Sequence, residues 1–115
     1  MRPETALQEA MRRYLAVKGY NTVAVPNGAV LAGDPKTRAI QMASLKRQGL
    51  TPGFPDLIVY GNAGRIGHIE VKCEGNYQTA SQKECERWLT ERGQLVAVCR
   101  SLADVDETLQ AWGWA

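Results

Sequence analysis

Pro55-Asp56-Leu57-Ile58-Val59-Tyr60-Gly61-Asn62-Ala63-Gly64-Arg65-Ile66-Gly67-His68-Ile69-Glu70-Val71-Lys72 is the stretch that decides the architecture. Asp56 to Tyr60 reads as a strand, Gly61 to Gly64 as a turn, and Arg65 to Cys73 as a second strand. So short a connection makes the pair antiparallel. On the second strand His68, Glu70 and Lys72 share one face, and Ile69 and Val71 the other. Glu70 and Lys72 therefore project together, roughly 7 Å apart along the strand. If Tyr60 pairs with Ile66 across a five-residue loop, Asp56 lies opposite Glu70, with Cβ atoms about 5 Å apart. A four-residue loop would set Asp56 opposite Ile69, on the wrong face. The loop sequence allows both registers; the chemistry of the side chains favours the first.

Outward from this hairpin, each flanking segment carries its own boundary signal. Glu4 to Lys18 places Leu7, Met11, Tyr14 and Leu15 at helical spacing, with Pro3 before them and Gly19 after. Asn21 to Val25 alternates and stops at Pro26-Asn27-Gly28, which predicts a short strand and a turn. Asp34-Pro35 is an N-cap followed by proline, so a helix should run from there to about Gln48 and stop at Gly49. Thr51 to Pro55 is too rich in proline to be regular. Thr79 to Arg92 should be helical, with Thr79 and Gln82 spaced as a capping box. Gln94 to Cys99 reads as a strand, and Ser101 opens a last helix with Leu102, Val105 and Leu109 on one face. The expected fold is α/β, a mixed sheet with a central antiparallel hairpin flanked by helices, in a single domain over residues 1–115.

Composition narrows the function classes. A net charge of +2 is too small for a polycation, so a nucleic-acid surface would have to come from how charge is distributed. Cys73, Cys85 and Cys99 are scattered and odd in number, which suits reduced thiols. With His68 as the one histidine, a structural zinc site lacks ligands. No apolar run approaches the ~18 residues of a membrane span, and no signal-peptide core is seen, so a cytoplasmic protein with no membrane partner is expected.

The chemistry lies in Asp56, Glu70 and Lys72. Two carboxylates held together repel, and burying them unpaired is costly. A hard divalent cation relieves that cost, and Mg²⁺ favours one or two carboxylates plus phosphate oxygens and water. A lysine beside them can orient or deprotonate an attacking water and offset charge on a phosphate. Together these parts suit phosphodiester hydrolysis. Taken singly, an acid after a loop and a Glu-x-Lys triple are ordinary surface features; their joint placement on one hairpin is specific.

Pro55-Asp56 followed by Glu70-Val71-Lys72 resembles the PD-(D/E)-x-K nuclease signature. Lys46, Gly49, Pro52-Gly53, Pro55-Asp56-Leu57, Ile69-Glu70-Val71-Lys72 and Ser81-Gln82-Lys83 together resemble the virus-type replication-repair nuclease (VRR-NUC) domain, along nearly the whole chain. The resemblance implies a restriction-endonuclease-like core and DNA cleavage dependent on Mg²⁺ or Mn²⁺, in a bacterial or phage-encoded protein. Asp56 and Glu70 would be the metal ligands, with the Val71 main-chain carbonyl a further candidate. Stand-alone members of this size are associated with homodimers that act on four-way junctions. The alternatives are a flap, nick or unspecific DNA nuclease, and a non-cleaving DNA-binding subunit.

Other residues are weighed beside these. Glu4, Gln8 and Arg12 form a stripe on the first helix, and the resemblance brings an acid of that helix, here Glu4, toward the metal site. A helix dipole would equally favour Glu4 where it stands. Gln82 matches a family glutamine and also completes the capping box. Asn27, Lys36, Arg38, Lys46, Arg47 and Lys83 are candidates for following DNA phosphates, or else an ordinary solvated surface. His68 reads as a strand residue without chemistry, Trp88 as core, and Trp112 and Trp114 as candidates for a subunit contact.

Overall fold

A computed structural model describes residues 2–26 and 31–114; Asn27 lies outside the described residues. The elements are α1 (Pro3–Val17), β1 (Asn21–Ala24), α2 (Pro35–Arg47), β2 (Leu57–Tyr60), β3 (Ile66–Val71), α3 (Ala80–Glu91), β4 (Leu95–Cys99) and α4 (Leu102–Ala111). Three of the helix starts are held by the side chains that the sequence nominates. Thr37 N–H donates to Asp34 Oδ1 at 2.7 Å. Gln82 N–H donates to Thr79 Oγ1 at 3.2 Å while Thr79 N–H donates to Gln82 Oε1 at 2.8 Å, completing the capping box. Asp104 N–H donates to Ser101 Oγ at 3.1 Å.

The strands form one mixed sheet in the order β1-β2-β3-β4. β1 and β3 both run antiparallel to β2, and β4 runs parallel to β3, joined to it through α3. The hairpin takes the five-residue loop, with Tyr60 opposite Ile66 and Leu57 opposite Ile69. Gly61 N–H closes that loop on the Arg65 carbonyl at 2.9 Å. This register sends Leu57, Val59, Ile69 and Val71 to one side, where they are buried with Met11 and Leu15 of α1, Cys99 of β4, and Val105 and Leu109 of α4. Fully burying one such aliphatic side chain is worth about 1.5–3 kcal/mol, so a one-residue slip that reversed the face of one strand would be heavily penalised. Arg12 ties α1 to β1 through the Thr22 hydroxyl at 2.9 Å, and the Tyr14 hydroxyl ties it to Asp106 of α4 at 2.7 Å.

Two features of the packing go beyond the sequence pattern. α2 does not lie on the sheet: it touches no other described helix or strand and has no buried residue. The radius of gyration, 15.1 Å, accordingly exceeds the about 13 Å of a compact chain of this size. Three helices flank the sheet, and the fourth stands away from it. Second, Trp112 and Trp114 pack on their own chain and are half-buried against its core. Gly67 makes the room, since a Cβ there would sit 2.3 Å from the Trp112 ring. Tyr20 holds the end by donating from its hydroxyl to the Trp114 carbonyl at 3.0 Å. The paired indoles, 4.9 Å between centroids, serve this chain's own packing.

The irregular stretch before β2 is anchored by Gly53, whose φ of +84° is left-handed and whose Cβ would lie 2.4 Å from the Ser81 backbone. Only glycine lets this loop press against the start of α3. The Cys85 thiol adds a bond to the Pro52 carbonyl at 3.2 Å. Gly53→Ala is expected to cost about 2–4 kcal/mol, combining the left-handed strain with a clash against backbone that cannot swing aside. A urea titration with an unchanged slope and a lowered midpoint is the check; an unchanged midpoint would refute the contact.

Candidate active site

Asp56 is the residue just before β2, one position short of the ladder expected for it. Its carbonyl accepts the Val25 N–H at 2.8 Å, which continues the β1 side of the sheet. On the other side the main-chain pairing with β3 has ended. Val71 N–H, left without a strand partner there, donates instead to Asp56 Oδ2 at 2.7 Å. The side chain thus finishes the sheet edge and is held against β3.

Glu70 and Lys72 come from β3 and its immediate end, on the face opposite the aliphatic core. Lys72 N–H donates to the Cys99 carbonyl of β4 at 3.1 Å, so the strand is still pinned where the lysine leaves it. Glu70 is 2% exposed and Lys72 8%. Glu70 Oε2 is buried with no hydrogen-bond partner among the described residues. No described carboxylate forms an ion pair with Lys72.

The electrostatics follow from this crowding. Burial raises the Asp56 pKa above the ordinary carboxylate range; the Glu4 charge raises it further, against the Val71 hydrogen bond and Lys72. Burial likewise raises Glu70, with Lys72 opposing and Asp56 and Glu86 adding to the rise. Desolvation dominates in both, so the pair lacks full compensating charge. His68, 5% exposed, is pushed below its usual value by burial. Its Nε2 meets Gln94 Oε1 at 3.3 Å and its ring stands edge-on to Phe54 at 5.5 Å. It is packed as a strand residue.

The remaining candidates divide. Glu4, half-buried in the first turn of α1, adds to the rise in the Asp56 pKa through its charge. Gln8 is half-buried, and its side chain makes no hydrogen bond to another described residue. The carbonyl end of Gln82 is spent on the capping box. Lys36, Arg38, Lys46, Arg47 and Lys83 are exposed, and the first four belong to the helix that stands off the sheet. Trp88 is half-buried, 6.2 Å from Phe54, with Arg92 over its ring. Gln78 and Glu86, joined to each other at 3.0 Å, were not singled out by the sequence, and the Glu86 charge adds to the rise in the Glu70 pKa. The available signal was Glu86 one helical turn after Gln82, on the same side of α3.

Among the described residues no three His, Cys, Asp or Glu side chains gather as a metal-holding group. What is present is a pair of hard oxygen donors with one unsatisfied, buried oxygen. That fits a cation content with one or two carboxylates and otherwise water and phosphate oxygens, as Mg²⁺ is, and does not fit zinc.

The chain is an α/β domain with a mixed sheet whose antiparallel hairpin carries two carboxylates and a lysine, followed by a parallel crossover. The VRR-NUC domain model matches residues 2–103, and the chain belongs to that family. A solved structure titled "VRR_NUC domain" superposes with a TM-score of 0.67 at 22% identity, covering 95% of this chain and 96% of that one. Another, titled "VRR_NUC domain protein", gives 0.63 at 24% identity, covering 97% and 88%. No curated protein matches the sequence. No described helix is long and apolar enough to cross a membrane.

Proposed function

We propose that this chain is a divalent-metal-dependent DNA endonuclease in which Asp56 and Glu70 hold Mg²⁺ or Mn²⁺ and Lys72 assists the attack of water. The observation that carries this reading is the buried, unpartnered oxygen of Glu70, beside Asp56 and Lys72 on one hairpin. A bound cation would supply Lewis acidity and lower the pKa of a coordinated water. Val71 offers its carbonyl from the same edge of β3 as the N–H that Asp56 binds, since both groups of a strand residue point to one side. Lys72 projects on the face of Glu70, where its ammonium orients the water or offsets charge on the attacked phosphate.

The substrate proposed is branched DNA, cut by a homodimer. One hairpin carries one site, whereas resolving a four-way junction needs paired cuts related by a two-fold axis. The helix that stands off the sheet supports this, because Ile40 is 61% exposed and forms an apolar groove with Leu31 and Leu45. A second copy meeting this groove would be the apolar centre of an interface of about 1,200–2,000 Å².

The test is cleavage of matched junction, flap, fork, duplex and single-stranded substrates with Mg²⁺, Mn²⁺ or chelator, paired with light scattering at micromolar concentration. Metal-dependent paired nicks in the junction by a dimer are expected. A strict monomer that nicks one strand would remove the junction assignment, and full activity in chelator would remove the metal.

Lys46 and Arg47 at the end of α2 are exposed and form no ion pair with any described residue. With Lys46→Glu and Arg47→Glu combined, DNA binding should weaken. The slope of log affinity against log salt should fall by roughly 2, about 0.9 per lost phosphate contact. An unchanged slope would place the DNA elsewhere.

A further inference from the structure

We infer that the hollow between β1, β2 and the loop after α2 takes one unstacked base of the DNA strand being cut. The inference rests on the nuclease reading above and deepens it, naming the part of a branched substrate that this face grips. The hollow measures about 330 Å³, and the described residues that wall it include Val25, Pro26, Leu50, Thr51, Phe54 and Ile58. Small-ligand sites run from about 300 to 1,000 Å³, so this one suits a single ring system. None of the six residues is fully buried, so the edges of a base held there keep their water.

Its place is fixed by the sheet. Val25 N–H donates to the Asp56 carbonyl at 2.8 Å, so one wall adjoins the main chain of Asp56. Ile58 pairs with His68 across the ladder, and His68 shares a strand face with Glu70 and Lys72. Ile58 therefore stands on the face that carries the chemistry. The opposite wall starts at Gly49 and Leu50, directly after the basic end of α2, where Lys46 and Arg47 are exposed. Leu50 is held there by its N–H, which donates to the Leu45 carbonyl at 2.9 Å.

An apolar hollow between a cation-binding carboxylate pair and two exposed cations matches the alternation of a nucleotide chain. A strand laid across it meets the metal on one side and Lys46 and Arg47 on the other, with a base between. The face of a base carries no hydrogen-bonding group, so apolar side chains cover it whatever the base is. A base at a branch or bulge leaves its stack at lower cost than a paired one. The hollow thereby favours distorted DNA over regular duplex without reading sequence.

The test uses two duplexes of one sequence, one fully paired and one with a single bulged aminopurine, a base whose fluorescence rises when it unstacks. Each is bound to the full chain in chelator, so that no cleavage intervenes. The wild type should bind the bulged duplex about 10–100-fold more tightly, the scale of one base stacked on a protein surface, with a rise in emission. Leu50→Trp fills the hollow and Leu50→Ser makes its wall polar; thermal unfolding checks that each is folded. In either folded variant the ratio of the two affinities should fall toward one. A wild-type ratio of one, an emission that does not rise, or a ratio unchanged in a folded Leu50 variant overturns the inference. A Leu50→Trp chain that keeps the ratio but changes its oligomeric state in light scattering gives the hollow to a second copy and overturns it too. The nuclease reading fails separately, through a wild type that prefers the bulged duplex and cleaves no DNA with Mg²⁺ or Mn²⁺.

Discussion

Asp56→Asn or Glu70→Gln is expected to lower single-turnover DNA cleavage by on the order of 10³-fold or more, because each change removes an anionic oxygen donor at the reacting centre. DNA binding should persist, since the phosphate contacts proposed for this chain lie at Lys46 and Arg47. The same substitutions should move stability in the opposite direction. Both carboxylates have pKa values raised by burial, so the folded protein holds these protons more tightly than the unfolded chain. Their contribution is fully present below the unfolded carboxylate pKa of about 4 and is lost as pH rises through the elevated folded values. The metal-free wild type should therefore lose stability across that window, and Glu70→Gln should flatten the loss. At neutral pH, Mn²⁺ should raise the wild-type melting temperature, by about 2.7 kcal/mol of added stability at a hundred times Kd. Glu70→Gln should show no such gain. Wild-type cleavage in either variant, or a melting temperature indifferent to Mn²⁺, would show that these carboxylates do not form a metal site.

Lys72 is expected to give the second largest effect, and one of a different kind. Its side chain is nearly buried, forms no ion pair with a described carboxylate, and lowers the pKa of both Asp56 and Glu70. Lys72→Met keeps the aliphatic stem and removes the charge. Cleavage should fall by about 10²–10³-fold, the usual scale for a group that moves a proton or stabilises developing charge. Mn²⁺ binding should be retained or tightened, because a competing cation has left the carboxylates. A rate unchanged at saturating metal would return Lys72 to the role of a packed strand residue. Weakened metal binding would mean that it acts by arranging the ligands.

Much of the element order was legible because its determinants are local. Asp34-Pro35, Thr79 with Gln82, and Ser101 each satisfy backbone donors within three residues, so the helix starts could be read one segment at a time. The alternation of His68, Glu70 and Lys72 against Ile69 and Val71 likewise placed the charged side chains on one face of β3 without any tertiary information. The hairpin register was different. Gly61 to Arg65 is compatible with either loop length, and the choice was made by burying Leu57 and Val59 with Ile69 and Val71 against α1 and α4. That burial is a sum over residues far apart in the chain.

The sequence by itself determined which charged side chains stand together on one strand face, since a period of two needs only neighbours in the chain. Only the tertiary structure decided what surrounds them. It set Gln78 against Glu86 because α3, which crosses between two parallel strands, begins just after Gln78. It turned Trp112 and Trp114 inward because a glycine at position 67 leaves a ring-sized gap on β3, which no pattern near the C-terminus announces. It left α2 apart from the sheet because that helix scatters its apolar residues and offers no continuous stripe to bury. Each of these outcomes depends on which surfaces meet, and surfaces meet only once the sheet has closed.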